Sequence, residues 1–103
     1  MTSTMNHDYT IDIVEEELQL TLDQLCRACR AHEELVRVWV VEGVLTPIGE
    51  SPPEWRFTGT SLRRARLALT LTRELEINAP GVALALDLMD EIGALKARLR
   101  TVT

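Results

Sequence analysis

Between Thr21 and Gly43 the sequence supplies a helix start and a helix stop twice over, and few folds accommodate such tight punctuation. Thr21-Leu22-Asp23-Gln24 carries the capping-box pattern, in which the Thr hydroxyl accepts from the N3 amide and the Gln side chain reaches back to the Thr amide. A helix is therefore predicted from about Leu22 to Arg30, with Leu22, Leu25, Cys26 and Cys29 on its inner face. After a tight turn at Ala31-His32, Glu33 and Glu34 stand where carboxylates complement the positive end of a helix dipole. Leu35, Val38, Trp39 and Val41 then form an apolar stripe, and Gly43 supplies the left-handed stop. Helix, short turn, helix, glycine: the pattern predicts a helix-turn-helix.

The flanking segments extend this unit. Residues 1–8 are expected to be a disordered tail, and 9–103 a single domain. Ile11, Ile13, Leu18 and Leu20 fall at even spacings broken by Glu15-Glu16-Glu17, which predicts a short N-terminal β segment. Beyond the Pro47 to Pro53 loop, Trp55-Arg56-Phe57 alternates as a short strand does, predicting a small wing. A third helix is expected over about 61–77, with Leu62, Ala65, Leu69 and Leu75 inward and Arg63, Arg64, Arg66 and Arg73 on a solvated face. Asn78-Ala79-Pro80-Gly81 opens a last helix over about 80–101.

On that last helix Ala85, Leu88, Ile92, Leu95, Leu99 and Val102 alternate three and four residues apart, as a and d positions do. Packing within one monomer would account for such a stripe. A dimer seam through Leu88, Ile92, Leu95, Leu99 and Val102 accounts for it better, because the segment extends beyond what the compact part needs to cover itself. Gly93, which costs about 1 kcal/mol relative to Ala in a helix interior, would let a partner backbone approach. The expected fold class is mainly α: a winged helix-turn-helix with a short N-terminal β segment, a small wing and a long C-terminal dimerisation helix.

Composition narrows the function. At 103 residues, 46% hydrophobic, the chain holds one small core and has no room for a catalytic domain beside a regulatory one. Its net charge of −5 is uneven: residues 1–60 carry the acidic excess, while residues 61–103 are slightly basic. An acidic front half argues against DNA as the ligand, since such affinity comes from neutralising phosphates. No apolar run reaches a membrane span and the amino terminus lacks a leader pattern, so a cytoplasmic location is expected. His7 and His32 are the only histidines, and no phosphate-cradling loop or nucleophile elbow occurs, so no enzyme is expected. Cys26-Arg27-Ala28-Cys29 spells C-x-x-C, but inside an amphipathic helix it lacks a redox context, and zinc would need a fourth ligand beyond His32. No metal or cofactor is expected.

Arg37-Val38-Trp39-Val40-Val41-Glu42-Gly43-Val44-Leu45-Thr46-Pro47 resembles the second helix and following turn of MerR-type winged helix-turn-helix domains, and Trp55-Arg56-Phe57 resembles their wing. Together with Pro80-Gly81-Val82-Ala83-Leu84-Ala85-Leu86 and the Leu/Arg-rich final helix, the stretch from Leu20 to Arg100 resembles the CbpM family of bacterial chaperone modulators. The resemblance implies a dimeric adaptor that binds the J-domain of CbpA, a DnaJ-like co-chaperone, and inhibits its work with the chaperone DnaK. J-domains present a basic helical face to DnaK, so an inhibitor of that contact needs acidic groups. Two clusters offer them: Glu33, Glu34 and Glu42, with Arg37 beside them, and Asp87, Asp90 and Glu91 at i, i+3 and i+4. An ordinary solvated face would also explain both clusters.

A MerR-like DNA-binding regulator without an effector domain is the alternative. Arg37 and Arg56 resemble the phosphate-contacting arginines of such domains. Glu33, Glu34 and Glu42 beside them would repel the same phosphates.

Overall fold

The computed structural model describes residues 17–102, and among them the chain is a bundle of α-helices: α1 (Leu22–Cys29), α2 (Glu33–Val41), α3 (Gly59–Glu74) and α4 (Ala79–Val102). The capping box at the start of α1 forms in both directions: Thr21 Oγ1 accepts from Gln24 N at 3.1 Å, and Gln24 Oε1 accepts from Thr21 N at 2.9 Å. Arg30 ends α1 in the left-handed region (φ 57°), and Gly43 follows α2 with φ 83°. The helix-turn-helix thus starts and stops where the sequence places it.

Leu25, Val36, Trp39, Val44, Leu45, Phe57, Ala65, Ala68, Val82 and Leu86 make the core. α1 packs on α2 and α3, and α4 packs on α3 and α2. The inward face of α2 differs from the predicted one. Val38 and Val41 point outward, and Leu35, Val36, Trp39 and Val40 face the core. With apolar residues at six of nine positions, periodicity alone permits two faces, and the seating of the fully buried Trp39 selects one. Its indole N–H has no acceptor among the described residues.

The expected wing shrinks to isolated antiparallel bridges, Ile48 with Arg56 and Leu20 with Phe57, and among the described residues no strand forms. Pro52 and Pro53 open a 3₁₀ turn (Pro52–Glu54) instead of extending the chain, and Gly49 at φ 111° sits so close to the Glu54 carbonyl that a Cβ would come within 2.6 Å of it. The alternation itself holds: Trp55 and Phe57 are buried edge to face with centroids 6.0 Å apart. Among the described residues of the expected N-terminal β segment, Leu20 pairs with Phe57 through two backbone bonds of 2.7 Å. Its Ile11 and Ile13 lie outside the described residues, as does the expected tail.

α3 begins and ends earlier than expected. Thr58 caps its start, and Leu75, predicted to face the core, is the C-cap and 64% exposed, because the chain reverses at Glu76 (φ 53°). α4 opens on Asn78, whose Oδ1 accepts from Gly81 N at 2.9 Å. Only the first part of α4 lies on the core, through Val82 and Leu86. The rest projects, giving the molecule extents of 44 × 28 × 24 Å. No helix among the described residues is long and apolar enough to cross a membrane.

Candidate partner-binding surface

The two acidic clusters prove to be differently built. On α2, Glu33 Oε2 accepts from Arg37 Nε at 3.0 Å and lies 2.8 Å from its Nη2, an i, i+4 ion pair that keeps both side chains half exposed. Glu34 and Glu42 are exposed and no ion pair engages them among the described residues. A shallow depression lined by His32, Glu33 and Glu34 opens at the start of the helix.

On α4 the carboxylates are tied down. Arg64 of α3 donates from Nη1 to Asp90 Oδ2 at 2.6 Å, from Nη2 to Asp87 Oδ1 at 3.5 Å, and from Nε to the Val44 carbonyl at 2.8 Å. One guanidinium, only 21% exposed, therefore joins α3, the middle of α4 and the turn after α2. The fork geometry of Arg suits this three-way bond. Glu91 is exposed and remains outside the clamp. Helical spacing alone places Arg64 on a solvated face. Its partner on the turn is a backbone carbonyl, which side-chain patterns do not reveal.

The arginines that a DNA reading needs are both engaged within the chain: Arg37 by Glu33, and Arg56 through an Nη1 bond of 2.8 Å to the Trp55 carbonyl. Cys26 and Cys29 are free thiols, and burial pushes both up from the usual thiol range, Cys26 further raised by Cys29 and by Glu33 and Asp23. Such thiols hold little thiolate near neutrality. Among the described residues no group of three or more His, Cys, Asp or Glu is placed to hold a metal, and His7 lies outside them.

The apolar stripe of α4 is exposed along its length: Leu88 53%, Ile92 51%, Leu95 49% and Leu99 65%. A Cβ at Gly93 would meet nothing within 4 Å, so the backbone there is open to approach. Val102 ends α4, and its side chain lies outside the described residues. Leu84 and Met89, which are not among the predicted a and d positions, are exposed beside the stripe.

This architecture, a helix-turn-helix followed by a long projecting helix, has close relatives. The sequence model of the MerR HTH family regulatory proteins matches residues 20–103. The chaperone modulatory protein CbpM of Coxiella burnetii (strain Dugway 5J108-111) is 41% identical over 90 residues, covering 87% of this chain and 85% of the relative. The chain belongs to the CbpM family. The chaperone modulatory proteins CbpM of Pseudomonas putida (strain W619) and Pseudomonas entomophila (strain L48) extend the likeness, at 36% and 34% identity over 80 residues, 78% of this chain and 79% of each relative. As a CbpM-family chaperone modulator on a MerR-type helix-turn-helix, the chain acts by binding and not by catalysis.

Proposed function

We propose that this protein is a cytoplasmic homodimer that binds the J-domain of a CbpA-type, DnaJ-like co-chaperone and inhibits its cooperation with DnaK by covering the J-domain surface. The observation that carries the reading is the 41% identity to a chaperone modulatory protein across 87% of the chain, from the first helix to the last. The free carboxylates support it. Where a DNA-binding helix-turn-helix needs cations, α2 offers Glu34 and Glu42 to a basic protein face. Glu33 with its partner Arg37, and Asp87, Asp90 and Glu91 on α4, form the outer rim of the contact, and Leu88, Ile92, Leu95, Leu99 and Val102 form the seam between two α4 helices.

Calorimetric titration with the isolated J-domain of a CbpA-like co-chaperone, run beside the J-domain of ordinary DnaJ, tests the proposal. Saturable binding to the first and little to the second is expected. Heat from neither, together with enrichment of a discrete duplex in DNA-site selection, would replace the proposal with a MerR-like regulator.

A further inference from the structure

Helix α2 is more apolar than its core face requires. Leu35, Val36, Trp39 and Val40 fill that face, yet Val38 and Val41 stand outside it, 43% and 80% exposed. Valine also forms helix less readily than the Ala, Glu or Lys that usually occupy a solvated face. Scattered exposed apolar residues are unremarkable, but these two are aligned with charge. Glu34, Val38, Val41 and Glu42 fall at i, i+4, i+7 and i+8, so they form one outer stripe: two valines bracketed by two carboxylates. At 1.5 Å per residue the carboxylates stand about 12 Å apart along the axis.

We propose that this stripe is the docking surface, and that its occupant is a cationic amphipathic helix bearing two basic side chains about two turns apart with an aliphatic ridge between them. The inference rests on the J-domain reading above and narrows it to one face. The valines supply buried apolar contact, and the carboxylates steer the encounter and fix its register. A second copy of this chain does not fit, because stripe against stripe would oppose like charges, and α4 carries its own apolar seam. Duplex DNA does not fit either, since both carboxylates would face phosphate. The α4 cluster is not an equivalent site, for Asp87 and Asp90 hold Arg64 and, through it, the Val44 carbonyl.

Titration of an isolated CbpA-type J-domain with the wild-type protein and four variants decides the matter. Val41→Lys should weaken binding about tenfold or more, with helix content and dimer mass unchanged, because Val41 is exposed in the free protein. Val41→Ser, which removes the ridge without adding charge, should weaken it in the same direction and so separates lost fit from repulsion. Glu34→Gln combined with Glu42→Gln should slow association about threefold or more at low salt and progressively less as salt rises, while Glu74→Gln, at the exposed end of α3, leaves both rate and affinity within about twofold of wild type. If wild type binds and the α2 variants bind as tightly as it does, the stripe is not the docking surface. If wild type does not bind the CbpA-type J-domain, the underlying functional reading fails, and the docking assignment with it.

Discussion

Helices α2 and α4 carry the same materials, clustered carboxylates beside aliphatic side chains, and put them to different uses. On α4 the carboxylates lie at the core end, where Arg64 gathers Asp87 and Asp90 and fastens them to the turn after α2. Its apolar stripe runs on past the last buried contact at Leu86. On α2 the carboxylates at Glu34 and Glu42 are left open and the valines lie between them. One helix therefore suits a long apolar contact between equals, and the other a short, charge-matched contact with something basic. An acidic cluster in a sequence does not reveal which kind it is; the nearest cation does.

The largest expected effect tests the α4 side of that contrast. Leu95→Asp places a charge in the middle of the exposed stripe and should give monomers at micromolar concentration by sedimentation velocity, whereas Val41→Lys on α2 leaves the dimer intact. A dimer that persists in Leu95→Asp would move the interface off this stripe. Next in size is Arg64→Ala. It deprives the Val44 carbonyl of a donor and frees two carboxylates, so chemical denaturation should show a loss of about 1–3 kcal/mol. Asp90→Asn keeps an acceptor near Arg64 and removes only a largely exposed ion pair, so it should cost less than about 1 kcal/mol. Its J-domain association rate should slow less than that of the Glu34→Gln/Glu42→Gln double variant; an equal or larger slowing would make Asp90 a principal docking group and erase the distinction between the two helices.

How much of this the sequence discloses follows from the range of each interaction. The capping box at Thr21, the left-handed stop at Gly43 and the start of α4 at Asn78-Pro80 are local, set by residues within one turn, and are readable. So is the projecting stripe of α4, because a sustained three-four spacing is a local pattern. The orientation of α2 is not local. Trp39 decides it by packing against other elements, which turns Val38 and Val41 outward against the predicted stripe. The Arg64 clamp spans from position 64 to 44 and to 87 and 90, and one of its acceptors is backbone, so no spacing announces it. The wing contracts for a local reason that was open to inspection: the prolines at 52 and 53 and the glycine at 49 favour a tight turn over extended chain. Family membership is legible from the residues around Trp39 to Pro47 and the Pro80 block, whereas the division of labour between the acidic groups is not.

The smallest expected effect is the most discriminating. Arg37→Ala breaks an exposed i, i+4 pair with Glu33, which should cost only about 0.3–0.5 kcal/mol of stability. Its consequence for binding depends on what α2 meets. If α2 meets a basic J-domain face, removing Arg37 unmasks Glu33 and makes the helix more negative, so association measured by stopped flow at low salt should be as fast as wild type or faster, with the gain fading as salt rises. If α2 served as a DNA recognition helix, the same change would remove its one cation and weaken binding to any duplex. The direction of a single rate change at low salt therefore separates the adaptor from the regulator, even though the fold and its stability are nearly untouched.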